Sequence, residues 1–217
     1  MTGQRPGRPG RKQGADGNGV PFPSSLPHYD AHAAEYANAL ASHDVGEARE
    51  RLLALLPPAA AILDLGCGPG RDLIAFRQAG HEAIGLEGSP ALAEIARAAS
   101  GAEVWTGDLR HTALPPVRFD GVWAQAVLFH VPTAALGNLL TALAGTLRPG
   151  GILYACDPTG GNEEGWVGDR YLAFRRPQTI QAIMRRAGFT LIETWRRPPG
   201  LPRRQQTWAA GLWRKAS

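Results

Sequence analysis

Glycine recurs at every second position in Asp64-Leu65-Gly66-Cys67-Gly68-Pro69-Gly70-Arg71, where an apolar stretch from Ile62 runs out into a helical pattern. A strand-to-helix turn requires fewer glycines than this. At Gly66 and Gly68 their absent side chains would let a molecule lie against the backbone. Arg71 stands where a dinucleotide fingerprint has its third glycine, and its bulk conflicts with the close helix–sheet packing that glycine serves. A ligand over the turn is therefore expected, other than a nicotinamide or flavin nucleotide. Glu87 closes the next apolar stretch, and Asp108 follows the one after it. Gln125 and His130 follow the fourth. In an open α/β sheet such strand ends face the ligand. His130 is the candidate general base among six histidines, since imidazole titrates near working pH.

The frame for these residues is an alternation of strands and helices. Tyr29, Ala33, Tyr36 and Leu40 fall at helical spacing after Pro21, Pro23 and Pro27, and Leu52, Leu53 and Leu56 mark a second helix before Pro57. Strands are expected at Ala61 to Leu65, Ala83 to Leu86, Glu103 to Trp105, Phe119 to Ala124 and Ile152 to Cys156. A helix carrying Leu73 and Phe76, then one with Ser89 as N-cap and Pro90 in its first turn that Gly101 closes, then one carrying Leu136 to Leu147, lie between them, and a helix with Ile180, Ile183 and Met184 follows. Thr190 to Trp195 and Thr207 to Trp213 close the chain as an antiparallel pair. The pattern predicts an α/β fold, a seven-stranded mostly parallel sheet with helices on both faces and an antiparallel last strand. One domain over residues 21–217 is expected, preceded by a disordered tail over 1–20 that has almost nothing apolar to bury.

Asp64-Leu65-Gly66-Cys67-Gly68-Pro69-Gly70 resembles the first motif of class I S-adenosylmethionine-dependent methyltransferases, whose sheet is Rossmann-like. The likeness continues in Gly85-Leu86-Glu87-Gly88-Ser89, Thr106-Gly107-Asp108-Leu109, Phe119-Asp120-Gly121-Val122-Trp123 and Leu147-Arg148-Pro149-Gly150-Gly151. It covers the chain from about Tyr29 onward and is similar to small bacterial enzymes grouped with ubiquinone-biosynthesis and tellurite-resistance methyltransferases. The resemblance implies S-adenosylmethionine as cofactor, held by Asp64, Gly66, Cys67, Gly68, Gly70, Arg71, Glu87, Gly88, Ser89, Asp108, Leu109 and Gln125. That molecule offers a ribose diol, an adenine amine and an ammonium, all donors, and carboxylates suit all three. Glu87 is expected on the ribose hydroxyls, although the family more often has aspartate there. Asp108 is placed by resemblance on the adenine amine, and Asp64 on the turn and the ammonium, directly or through water. Leu86 and Leu109 are placed about the adenine, Gln125 at the methionine end, and Arg71 either near the carboxylate or exposed on the first helical turn.

For the acceptor, Asp157 to Arg176 is a long connection with Glu163, Glu164, Trp166, Asp169, Arg170, Tyr171 and Phe174. An ordered cap is expected there, with Trp166, Arg170, Tyr171 and Tyr29 as substrate residues. The loop Arg196 to Gln206 and Trp208 would complete the wall. Methyl transfer from a sulfonium needs in-line alignment in a dry pocket, and a base only for some acceptors. Two readings stand beside a small-molecule methyltransferase: an RNA or tRNA methyltransferase, and a cofactor-binding protein without catalysis.

The chain has 217 residues, 44% of them hydrophobic, enough for one core. No apolar run is long enough to cross a bilayer and no secretory h-region opens the chain, so a cytoplasmic protein with no membrane partner is expected. All but Lys12 and Lys215 of the 23 basic residues are arginine. With no aromatic ladder beside them, nucleic acid is a less favoured partner than a small-molecule acceptor. Cys67 and Cys156 stand far apart, and no His or Cys pair stands at ligand spacing, which predicts metal-independent catalysis. A monomer or homodimer is expected.

Overall fold

The computed structural model describes residues 23–40, 45–198 and 207–216. The tail expected over 1–20 and most of the Pro-rich connection before Thr207 lie outside them. Five parallel strands form the first part of the sheet: β1 (Ala61–Leu65), β2 (Glu82–Glu87), β3 (Glu103–Thr106), β4 (Phe119–Gln125) and β5 (Leu147–Pro158). With β8 (Phe189–Arg197) and β9 (Trp208–Lys215) they make seven strands in the order β3-β2-β1-β4-β5-β9-β8, β9 running antiparallel to both neighbours. The expected architecture is therefore present.

Every residue of β1 is buried, as a central parallel strand covered on both faces must be. Alternate residues feed two cores. Leu63, Leu65, Ile84, Val122 and Leu153 pack under α6 (Thr133–Thr146) and α7 (Pro177–Arg186). Ile62, Trp123, Ile152 and Tyr154 pack on the other face, under α3 (Gly46–Leu53), α4 (Arg71–Gln78) and α5 (Pro90–Ser100). Trp123 and Tyr154, both fully buried, stack with ring centroids 4.0 Å apart. α5 begins as its sequence signals: Ser89 is its N-cap, its hydroxyl accepting from Leu92 N, with Pro90 at the first position and Gly101 at the end in a left-handed conformation.

Four local expectations change. The single N-terminal helix is two short ones, α1 (Leu26–Ala31) and α2 (Ala33–Leu40), broken at His32. α3 ends at Leu53, short of Leu56. β5 starts at Leu147 because that residue already pairs with Phe119, before a bulge resets the register to Gly121 opposite Ile152. Finally, the long connection after Asp157 holds a hairpin, β6 (Glu163–Val167) and β7 (Arg170–Phe174), turned by Gly168 at φ +62° and Asp169. Glycine at the first of two turn residues suits a hairpin whose twist matches its strands.

Candidate active site

A cavity of about 550 Å³ opens at the carboxyl ends of β1, β2 and β4, a size typical of small-molecule sites. The turn after β1 forms its floor. Gly66 and Cys67 N–H groups both donate to Leu86 O, and Gly66, Gly68 and Gly70 have φ of +66°, +54° and +90°. A Cβ at Gly66 would lie 2.4 Å from Val127 Cγ2, so glycine is required there by backbone and neighbour together. Gly70 does not line the cavity. A Cβ on it would meet Ala96 Cα at 3.0 Å, so this glycine lets α4 approach α5. Arg71 begins α4 and pairs with the adjacent Asp72, which also accepts from Arg49 Nη1 at 2.6 Å and from Trp123 Nε1 at 3.0 Å.

Glu87, at the tip of β2, is 6% exposed and accepts from Gly68 N and Ser89 N, each at 2.9 Å. Burial raises its pKa despite those bonds. Each oxygen keeps a lone pair for a ligand hydroxyl. Asp64 is 3% exposed, and its Oδ2 has no hydrogen-bond partner. Burial first, then the nearby Asp72 carboxylate, raises its pKa well above the usual range. A buried acceptor without a donor is costly and fits a ligand that brings a cation or an N–H. Asp108 lines the cavity but is gripped by Arg110 through Nε at 3.0 Å and the backbone N–H at 2.9 Å. Burial pushes its carboxyl up, and the Arg110 bonds overcome that and hold it below the usual range.

Cys67, Gly88, Leu109 and Gln125 also line the cavity. Gln125 Oε1 accepts from the Tyr154 hydroxyl at 2.9 Å, leaving its amide group to face a ligand. Ser89 lies behind the wall, where its hydroxyl caps α5 and donates to Asp30 Oδ1 at 2.8 Å.

At the other end of the cavity stand Tyr29, Tyr36, Phe129, His130, Arg197 and Trp208. His130 ends a 3₁₀ turn (Leu128–His130), and Tyr29 reaches it from α1 with its hydroxyl 2.8 Å from Nε2. His130 Nδ1 lies 3.2 Å from Tyr171 O. A carbonyl only accepts, so Nδ1 carries the proton and the Tyr29 hydroxyl donates to Nε2. Burial lowers His130 to about 4 and pushes Tyr29 up to about 12.

The hairpin meets this cluster mostly through backbone. Tyr171 N–H donates to Ser25 Oγ and its carbonyl accepts from that hydroxyl and from His130, whereas its side chain does not line the cavity. Arg170 reaches the hydroxyls of Tyr29 and Tyr36 from outside the lining. Trp166 is 57% exposed and packs edge-on against Tyr171. It does not line the cavity, and β6 is exposed along its length apart from the half-buried Gly165.

Two residues unmarked by the sequence reading hold the His130 turn. Asp157 at the end of β5 accepts from Phe129 N at 3.3 Å, and Arg175, 6% exposed, donates to Leu128 O, Val131 O and Thr133 Oγ1. Their separation in sequence hid them, because neither stands in a local pattern. Asp30 was hidden for the same reason, whereas Arg110 stands only two residues from the Asp108 it grips.

Residues 62–151 match the family described as methyltransferase domain. A trans-aconitate 2-methyltransferase of Methylobacterium radiotolerans is 43% identical over 115 residues, 47% of this chain and 40% of that protein. A ubiquinone biosynthesis O-methyltransferase of Xanthomonas campestris pv. campestris is 31% identical over 103 residues, 45% of this chain and 42% of that one. The chain thus spans about two fifths of the length of these relatives. Among solved structures, the Burkholderia thailandensis 1,6-didemethyltoxoflavin-N1-methyltransferase, with its substrate and S-adenosylhomocysteine bound, aligns with TM-score 0.67 at 22% identity over 91% of this chain and 94% of that one. A TehB-like S-adenosylmethionine-dependent methyltransferase from Corynebacterium glutamicum gives TM-score 0.69 at 22% identity over 85% and 98%. The fold is that of these enzymes. Residues 62–151, which hold the glycine turn, match a methyltransferase domain, for which the sequence resemblance implies S-adenosylmethionine as cofactor.

The residues around the turn fit that cofactor: Asp64 offers an unpartnered buried oxygen, Glu87 offers spare lone pairs, and glycine keeps the floor clear. No helix among the described residues is long and apolar enough to cross a membrane.

Proposed function

We propose that this chain transfers the methyl group of S-adenosylmethionine to a small-molecule acceptor by in-line displacement. The observation that carries this reading is one cavity with two chemically different ends. Buried carboxylates and a bare glycine floor lie at one end, and an aromatic wall with His130 at the other. Bound there, the cofactor supplies an electrophilic methyl on a sulfonium. Glu87 accepts from the ribose diol, Asp64 from the ammonium, and Asp108, oriented by Arg110, lies toward the adenine with Leu86 and Leu109. Gln125 presents its amide at the methionine end.

The chain's part in the chemistry is to orient and to exclude water. α1 and α2 lay Tyr29 and Tyr36 across the opening, and Asp30 ties α1 to the start of α5 through Ser89 Oγ and Ala91 N. Tyr29 borders the acceptor directly, with His130 behind it fixing the direction of its O–H. Both residues line the cavity, and the Tyr29 hydroxyl occupies Nε2 of the imidazole. Arg170 and the Tyr171 backbone hold the pair from outside. An enclosed aromatic end suits a compact molecule, and the similar proteins are named for compact molecules, trans-aconitate and 1,6-didemethyltoxoflavin. Titrating the purified protein with S-adenosylhomocysteine by calorimetry, then screening acceptors with methyl-labelled cofactor, tests the reading. Absence of any binding heat would refute it.

A further inference from the structure

Two tyrosine–histidine pairs stand at the acceptor end of the cavity, and the second partners of their imidazoles differ. In the first, Tyr29 donates to His130, whose other nitrogen gives its proton to the Tyr171 carbonyl. In the second, the Tyr36 hydroxyl lies 3.0 Å from His28 Nε2, and His28 Nδ1 lies 2.6 Å from Asp169 Oδ1. Tyr36 comes from α2, His28 from α1 and Asp169 from the hairpin turn. Tyr36 lines the cavity, His28 is half-buried behind it, and the Asp169 side chain is 65% exposed.

The second partner decides what each imidazole can carry. A proton taken by His130 would put a cation in a buried site against a carbonyl, and burial lowers that group to about 4. A proton taken by His28 would stand beside a carboxylate, which the neighbouring His28 holds below its usual range. His28 Nδ1 is buried and makes no aligned hydrogen bond among the described residues, so charge more than bond direction joins it to Asp169. An ionised carboxylate only accepts, which puts the proton on Nδ1 and leaves Nε2 to accept from the Tyr36 hydroxyl. Arg170 Nη1 lies 3.5 Å from the same phenol oxygen, so negative charge developing there meets a guanidinium. Tyr29, edge-on at 5.4 Å, and His32, stacked at 4.5 Å, also face His28, with His130 beyond them.

We propose that Tyr36, His28 and Asp169 form the route by which the acceptor's proton leaves during methyl transfer. This rests on the methyltransferase reading above and adds the base to it. The acceptor atom bonds to the methyl carbon, and the carbon–sulfur bond breaks with its electron pair remaining on sulfur. The acceptor's proton passes to the Tyr36 oxygen while the phenol's own proton passes to His28 Nε2, leaving an imidazolium paired with Asp169. Solvent, which reaches Asp169, takes up the proton between turnovers. The role of base thus moves from His130 to Tyr36, the member of the chain that borders the acceptor, and His28 and Asp169 act through it.

The test uses the full chain. Nitrogen NMR of histidine-labelled protein at mildly alkaline pH should show His28 in the Nδ1–H form, and Asp169→Asn should shift it toward the Nε2–H form. Methyl-labelled S-adenosylmethionine is then offered with phenol, alcohol, amine and thiol probes built on one small aromatic ring. On the probes that take label, Tyr36→Phe and His28→Ala should each lower kcat roughly a hundredfold, with KM changed less than about twofold. Added imidazole should restore His28→Ala by at least about tenfold. The Kd for S-adenosylhomocysteine should stay within about twofold of the parent in each variant. An Nε2–H tautomer in the parent, or parent-like kcat in Tyr36→Phe, overturns the proposal and leaves the methyltransferase reading intact. So does cofactor binding without label on any probe. Absence of cofactor binding in calorimetry removes both.

Discussion

The Tyr29 hydroxyl donates to His130 Nε2 across 2.8 Å, joining a residue of the N-terminal helix to one 101 positions away at the sheet edge. Since His130 Nδ1–H is committed to Tyr171 O, the imidazole is held neutral and in one tautomer. Removing the phenol oxygen leaves a buried acceptor unpartnered. Tyr29→Phe should lower unfolding free energy by about 1–3 kcal/mol, and a double-mutant cycle with His130→Ala should show coupling near ~1 kcal/mol. Urea unfolding of the four proteins measures it. Strict additivity would mean that the bond does not form in solution.

Gly66 is fixed by two independent constraints, a φ of +66° and the Val127 side chain. Gly66→Ala should lose at least about 2 kcal/mol, combining roughly 1–2 kcal/mol of left-handed strain with the clash. Adding Val127→Ala should recover only the clash portion. Thermal denaturation of both variants reads the split. Full recovery would show that backbone strain is negligible there.

Glu87 holds the turn with both oxygens, the same two that the proposed reading assigns to the ribose. Glu87→Ala should weaken S-adenosylhomocysteine binding at least tenfold, on the order of 1.4 kcal/mol, and lower Tm as well, since Gly68 N and Ser89 N lose their acceptor. Glu87→Gln, which keeps one oxygen, should fall between. Calorimetry showing parent-like affinity in Glu87→Ala would exclude the ribose contact.

His130 and Asp157 give acid stability opposite slopes. His130 titrates near 4 in the fold because burial disfavours its cation, so the unfolded chain protonates first on acidification. The stability from keeping it neutral is complete above about 6.5 and is lost as pH falls toward 4, at most about 3 kcal/mol. Asp157 is raised to about 6, by burial against the pull of Arg175, so the folded chain protonates first. Stability from this residue grows as pH falls from 6 toward the ordinary carboxyl range. Relative to the parent, Asp157→Asn should lose Tm more steeply between pH 6.5 and 4.5, and His130→Gln less steeply. Parallel Tm curves would contradict both shifts.

Local chemistry made the glycine turn, the place of Glu87 at a strand end and the succession of strands along the chain legible without coordinates. Glycine periodicity reports backbone geometry residue by residue, and apolar runs between helical patterns force a parallel sheet whose carboxyl ends carry the ligand. The Gly168-Asp169 turn was also readable as a hairpin signal, though five-residue strands beside Gly160, Gly161 and Gly165 resembled a loop.

Contacts between segments remote in sequence were decided only by the tertiary structure. The closure of His130 by Tyr29, the grip of Asp157 and Arg175 on its turn, the bond from Arg110 to Pro23 O, and the exposure of Trp166 have no local signature. A side chain's type states what it can donate or accept. Which partner takes that capacity depends on how the layers pack, and here packing gave both nitrogens of His130 a partner from remote parts of the chain.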